Sequence, residues 1–360
     1  MTTPSSSQEV TVGEGRFRYR VADGWQRLPQ GWSLVEVVGV AVDSHDRVFV
    51  FCRGEHPLMC FSSDGTFLFA WGEEQFNRPH GILIGPDDAI YLSDDRDHTV
   101  RKYTPEGELL LTLGTSGQPS ETGVRDFDYR TIAQGGGPFN HPTNLALGPG
   151  GEMYVADGYG NCRVHKFSPE GELLLSWGEP GEGPGQFNLP HGIGVNRTGR
   201  VAVADRENDR VQFFSPEGEY LDQWTDLVRP TEVFFDCEGN AYVSELGRRA
   251  GMFPWMTPDE QSTGGRMSIF DSNGQLLARW GGGENPTAPG DFYAPHDVWV
   301  DSRGDLYVGE VTWSAGGNRG LVDASCPSLQ KFVREQIVVD RSAIESFRSR
   351  SEQRLTETWR

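Results

Sequence analysis

A turn followed by an alternating apolar strand recurs five times along this chain. It reads "SSDGTFLFAWG" from Ser62, "TPEGELLLTLG" from Thr104, "SPEGELLLSWG" from Ser168, "SPEGEYLDQW" from Ser215 and "DSNGQLLARWG" from Asp271. Self-similarity of this kind marks an array of small units, each burying its faces against its neighbours. Just upstream of each copy lies a second strand, "LMCF", "VRKY", "VHKF", "VQFF" and "MSIF", and "LQKF" at Leu329 is a sixth. A third precedes those: "RVFVF" at Arg47, "AIYLSD" at Ala89, "EMYVAD" at Glu152, "RVAVAD" at Arg200, "NAYVSE" at Asn240 and "DLYVGE" at Asp305. A fourth opens every unit, at Val38, Pro79, Pro142, Pro190, Pro230 and Pro295.

Six units of four short antiparallel strands predict an all-β protein, a six-bladed β-propeller, whose ring leaves few exposed edges. The sixth unit lacks an outer strand after Phe332, and "RFRYRVADGW" at Arg16 is expected to supply it and close the ring. The propeller is therefore expected over residues 16–333, between a disordered segment 1–15 and a charged tail 334–360 with some helical character. Two insertions, at about residues 115–137 and 247–265, are long enough to carry function or to lack structure.

With the units in register, histidine and threonine alternate at one position. His80, His191 and His296 occupy units two, four and six; Thr143 and Thr231 occupy units three and five. In a propeller the first strand of each blade lines the central channel, and alternate blades of six lie roughly 120° apart. The three imidazoles are therefore expected to converge, with one side open. A catalytic Zn²⁺ is held in this way, with water or substrate completing the shell. Imidazole also suits copper, iron or nickel, so another divalent transition metal fits the same reading. One such histidine alone would read as part of a blade-start turn; three in one phase on alternate units read as a metal centre. His141 falls two places before that phase, and His45, His98 and His165 fall in turns or outer strands. His56, in "CRGEHPLMCF", lies nearer the channel face.

The formal net charge of −20 argues against nucleic acid and against anionic membranes as partners, since both demand a basic face. The longest apolar runs are strand-sized, well short of the ~20 residues that span a bilayer. No basic start or apolar h-region opens "MTTPSSSQEV", so a cytoplasmic location is expected. Five scattered cysteines without a CxxC fit a reducing compartment better than disulfides or a thiolate site.

At these residues the chain resembles a family. The units look like NHL repeats, and residues from about 30 to 332 resemble the peptidyl-α-hydroxyglycine α-amidating lyases, six-bladed propellers that release glyoxylate and leave a peptide amide. The resemblance implies that His80, His191 and His296 are zinc ligands. It implies catalytic roles for Arg53 in "RGEH", Tyr159 in "VADGYGNCRV" and Arg206 in "VADREN". It also implies a structural Ca²⁺ held by Asp297 with the carbonyls of Val40 and Ile82. Asp297 as a hydrogen-bond partner of a metal-bound imidazole is the alternative. The chain departs from the family at Ala294, where methionine is frequent, and at Gly160, Ala202 and Phe213, which replace cysteines of the animal enzymes. No monooxygenase half is present in the sequence.

The implied chemistry is coherent. A carbinolamide loses its hydroxyl proton as its C–N bond breaks. A metal polarises the oxygen, a tyrosine beside a cation accepts the proton, and two arginines clamp a carboxylate. The substrate is expected to be a carboxylate-bearing peptide or small molecule, a small carbinolamide or ureidoglycolate-like compound being as suitable as a peptide. Two other readings stay open: a zinc-dependent hydrolase or hydratase, and a non-catalytic NHL scaffold that binds proteins on its top face. The oligomeric state is unknown.

Overall fold

The structure, a computed structural model, describes residues 9–253, 256 and 263–335. Six antiparallel sheets form its blades. The inner strands are Val37–Val42, Pro79–Ile84, Pro142–Leu147, Pro190–Val195, Pro230–Phe235 and Pro295–Val300. Each contacts the inner strand of the next blade, and Pro295–Val300 contacts Val37–Val42, so the ring is closed. Blade six is completed by Phe17–Ala22, which pairs with Leu329–Arg334 in the register Val21↔Phe332. The predicted closing strand is therefore present.

The expected disordered segment 1–15 needs correction at its end. Thr11–Glu14 forms a fifth strand on blade six, pairing with Phe17–Ala22 through the turn at Gly15. Alternation had pointed to only one N-terminal strand, but a backbone edge left open beside Phe17–Ala22 is satisfied by a second. The tail from 336 on, with its expected helix, lies outside the described residues, as do 254–255 and 257–262 of the second insertion.

Two recurring contacts explain the repeat. The tryptophan that ends an outer strand packs on the turn glycine of the next blade: a Cβ on Gly107 would sit 2.9 Å from the Trp71 ring, and one on Gly218 2.9 Å from Trp177. Both glycines also have φ near +80 to +90°, at +92° and +80°, so turn shape and close approach make the same demand. At the closure, Tyr19 meets Trp280 with ring centroids 5.6 Å apart.

The second contact is a buried carboxylate at the end of the second strand. Asp94, Asp157, Asp205, Glu245 and Glu310 accept from the backbone N–H groups of Asn77, Asn140, Asn188, Val228 and Tyr293 at 2.6–2.9 Å. Each bond ties the top loop entering an inner strand to its own blade, and so fixes the chain just before the histidine phase. In blade one Cys52 stands at this position.

Phe17 is 1% exposed and closes the apolar cluster between blades five and six, whereas Leu109 on an outer strand is 52% exposed. Phe17→Ala is expected to lower unfolding free energy by about 3–5 kcal/mol, and Leu109→Ala to change it by less than about 0.5 kcal/mol. Equilibrium denaturant unfolding of the two variants checks both.

Candidate metal centre and its rim

His80, His191 and His296 meet on the ring axis. Their ring centroids are 4.7–4.8 Å apart, and their candidate ligand atoms all lie within 4.8 Å of one another. Each imidazole donates from Nδ1 to a backbone carbonyl of the following blade, His80 to Thr143, His191 to Thr231 and His296 to Val38, always at 2.8 Å. This fixes the tautomer and leaves every Nε2 unprotonated, that of His191 accepting from the Tyr159 hydroxyl at 3.2 Å. The Nε2 of His80 is buried without a hydrogen-bond partner. Burial first holds all three rings well below the usual histidine range, followed by neighbouring imidazoles at His80 and His191 and by Arg53 at His296. Neutral, tautomer-locked imidazoles aimed at one point are what a divalent transition metal requires, so the residues fit such an ion.

The alternation of histidine and threonine now has a physical reason. Thr231 turns its hydroxyl away from the axis, to the carbonyls of Ser244 and Pro295 at 3.1 and 3.0 Å, while its own carbonyl orients His191. Thr143 does the same for His80, through Ala156 and Pro190. The glycine after the histidine is part of the device. A Cβ on Gly192 would lie 2.4 Å from the Thr231 oxygen, and one on Gly81 2.6 Å from the Thr143 oxygen.

Above the histidines the rim is built from two further repeat positions. One precedes each inner strand and supplies Glu36, Arg78 and Arg229; the other follows each second strand and supplies Arg53, Asp95 and Arg206. Tyr159 stands one place beyond the second of these. Its hydroxyl is 3.2 Å from His191 Nε2 and accepts from Arg206 Nη1 at 3.3 Å. Arg53 donates to Glu36 at 3.0 Å and to the Pro79 carbonyl at 2.9 Å. Arg53, Tyr159 and Arg206 thus gather around the three histidines.

Six rim residues were not anticipated: Glu36, Arg78, Asp95, Glu207, Arg229 and Phe127. Arg78 pairs with the fully buried Asp95, whose carboxyl burial pushes up to about 6 despite the guanidinium. Arg229 is fully buried and shares Glu207 with Arg206, at 2.6 and 2.8 Å. Phe127, from the first insertion, stacks on Tyr159 with centroids 5.5 Å apart. The register of the repeats carried a signal for the arginines: "NRPH" and "VRPT" place Arg78 and Arg229 at one phase. Nothing in the pattern pointed to Phe127 or Glu207.

Asp297, Val40 and Ile82 also come together on the axis. The Val40 N–H donates to Asp297 Oδ2 at 2.8 Å, and a Cβ on Gly39 would lie 3.2 Å from both Asp297 Oδ2 and the Ile82 nitrogen. Asp297 does not brace an imidazole: all three Nδ1 atoms go to backbone carbonyls, and its Oδ1 accepts from the Val298 N–H. The alternative role for Asp297 is thereby corrected. Asp297 shares a cavity of about 160 Å³ with Glu232 and Asn144. Burial raises both carboxyls, Asp297 to about 7, and Asp297 adds to the rise of Glu232. Two buried carboxylates with an amide are an oxygen donor set of the kind Ca²⁺ accepts. Of the other histidines, His141 contacts His98 and Phe127 beside the site. His56 stacks on Trp32 at 3.3 Å and bonds Glu73 at 2.9 Å.

The NHL repeat family matches residues 139–167 and 187–214. NHL repeat-containing protein 3 of Mus musculus is 35% identical over 212 residues, 54% of this chain and 58% of that protein. Peptidyl-glycine alpha-amidating monooxygenase of Mus musculus is 29% identical over 310 residues, 77% of this chain and 29% of its own length. Peptidyl-alpha-hydroxyglycine alpha-amidating lyase 1 of Drosophila melanogaster is 35% identical over 160 residues, 41% of this chain and 27% of its own. The chain thus spans less than two thirds of each of these relatives. Among solved structures, a streptogramin B lyase superposes with a TM-score of 0.53 at 12% identity, covering 89% of this chain and 87% of that one, which establishes the fold.

Against its burial, Arg206 and Arg229 hold the Glu207 carboxyl down to about 2. A carboxyl lowered in the folded state contributes stability above its unfolded pKa, near 4.5, and loses it as pH falls through the folded value. Wild type is expected to exceed Glu207→Gln by about 3 kcal/mol at neutral pH, the gap narrowing from pH 4.5 toward 2. Denaturant unfolding of both proteins across pH measures that gap.

Proposed function

We propose that this NHL-repeat propeller, which resembles the peptidyl-α-hydroxyglycine α-amidating lyases, is a metal-dependent carbon–nitrogen lyase acting on α-hydroxyglycine-type carbinolamides. The observation that carries the reading is the position of Tyr159, whose hydroxyl lies between a candidate metal ligand, His191, and a buried guanidinium, Arg206. A phenol oxygen there is within reach of a proton on a substrate bound over the histidines.

Bound to His80, His191 and His296, Zn²⁺ or another divalent transition metal would supply Lewis acidity at the centre of the ring. The chain's own residues do the rest. Tyr159 takes the proton from the carbinol hydroxyl, while Arg206 stabilises the negative charge that precedes it on the phenol oxygen. The hydroxyl's electrons close the aldehyde C=O and the C–N pair leaves with nitrogen. The leaving nitrogen takes up the proton that Tyr159 received, giving an amide and glyoxylate with no net gain or loss of protons. Arg53 offers a cation for the carboxylate. Phe127 covers the outer face of Tyr159 and keeps water from it. Asp297, Glu232 and Asn144 offer a structural Ca²⁺ its oxygen ligands near the Val40 and Ile82 backbone.

The similarity to NHL repeat-containing protein 3 favours a second reading, a binding scaffold. Against it stand three desolvated imidazoles with their Nε2 atoms turned to one point. A hydratase using the same metal has no need of Tyr159.

The protein is expected to retain about one transition-metal ion per chain, and His191→Ala to lose most of it while keeping the same circular dichroism and a cooperative unfolding transition. Metal analysis decides this; undiminished metal in folded His191→Ala would remove the ligand assignment. With metal loaded, Tyr159→Phe is expected to slow glyoxylate release by roughly 10²–10⁴ with little change in metal content. Unchanged turnover in that variant would refute the lyase mechanism and leave the three-histidine centre intact.

A further inference from the structure

We propose that Arg78 and Arg53 together form the fork that holds the substrate carboxylate, placing that group in the cleft between blades one and two. This rests on the lyase reading above but concerns a different part of the site. Three arginines surround Tyr159, and their hydrogen bonds separate their roles. Arg206 is committed: Nε donates to Glu207 at 2.8 Å and Nη1 to the phenol at 3.3 Å, with the side chain 4% exposed. Its charge is matched by a carboxylate shared with Arg229. It has little left to offer a ligand.

Arg53 and Arg78 are differently placed. Arg53 Nη1 and Nε are used by Glu36 and the Pro79 carbonyl, but Nη2 is buried with no hydrogen-bond partner. A buried donor left in that state is costly unless something fills the place. Arg78 donates from Nη1 to Asp95, and among the described residues Nε and Nη2 have no acceptor. Its side chain is 23% accessible. Both guanidiniums line one cleft of about 760 Å³, together with Phe76, Asn77, His56 and Arg96. The bond from Arg53 Nε to the Pro79 carbonyl anchors the first guanidinium to the peptide between Arg78 and His80. Both cations are thereby held beside the metal-ligand strand.

The guanidinium of Arg78 is held in orientation as well as position. Phe127 lies 5.2 Å from its carbon and Tyr159 5.6 Å, two aromatic faces against one planar cation. After burial, the charge of Arg78 is the next influence lowering the Arg53 pKa. The open donors, Nη2 of Arg53 and Nε and Nη2 of Arg78, suit a carboxylate, which accepts from guanidinium groups in a planar, bidentate geometry.

The test uses the metal-loaded protein and two probes, glyoxylate and its neutral amide, glyoxylamide, in calorimetric titrations. Arg78→Gln is expected to weaken glyoxylate binding by roughly 10–100-fold and to leave glyoxylamide unaffected. KM for a hydroxyglycine substrate should rise in parallel, with kcat changed by less than about threefold. Arg78→Lys keeps the pair with Asp95 but not the fork, and is expected to recover only part of the loss. It also serves if Arg78→Gln is poorly folded. Unchanged glyoxylate affinity in folded Arg78→Gln, or equal losses for both probes, would overturn the proposal. Arg78-dependent glyoxylate binding without any lyase turnover would uphold the fork and sink the lyase reading. Turnover with glyoxylate binding indifferent to Arg78 would do the reverse.

Discussion

The centre of this protein depends on three hydrogen bonds between neighbouring blades. Each runs from a histidine Nδ1 to a main-chain carbonyl of the next blade, at the same 2.8 Å. Backbone on one blade thus sets the tautomer and direction of a side chain on the one before it. Ring geometry supplies the convergence. The requirement propagates outward: glycine at 81 and 192 to admit the carbonyl, threonine at 143 and 231 to turn its hydroxyl from the axis, and buried carboxylates to hold the entering loops. A three-histidine cluster of this kind has little freedom to reorganise, because each imidazole is seated on two blades.

The rim follows a different logic. Glu36 with Arg53, Asp95 with Arg78, and Glu207 with Arg206 and Arg229 are ion pairs with at least one buried partner. Replacing a whole pair of this sort by well-packed apolar groups costs little once desolvation is counted, whereas removing one partner is costly. The concentration of these pairs around Tyr159 fixes a pattern of charge over the three histidines. Apolar contacts between blades, with clusters such as Phe17, Tyr242 and Ile269, hold the ring independently.

The insertions give this propeller its individual wall. Phe127 reaches over Tyr159, and Tyr129, whose phenol burial pushes up to about 12, faces Glu207 and Arg206. From the second insertion Phe253 lies 4.8 Å from the Arg229 guanidinium. Loops free of the repeat are where a ring of equivalent blades acquires unequal sides.

Strand periodicity and the turn motifs determined the six blades, their four-strand content and the closing N-terminal strand, because each unit must bury two faces and the alternation shows which residues do so. The register of the repeats then placed His80, His191 and His296 at one height, since equivalent positions in a closed ring are related by rotation. Arg78 and Arg229 were legible in principle by the same register. What the sequence did not contain was the approach of segments outside the repeat. Phe127 has no phase, so only packing could bring it onto Tyr159. Glu207 next to Arg206 reads as an ordinary surface pair until Arg229, on the next blade, buries it. The second N-terminal strand, Thr11–Glu14, exists because Phe17–Ala22 leaves an edge, and that edge forms only when the ring has closed.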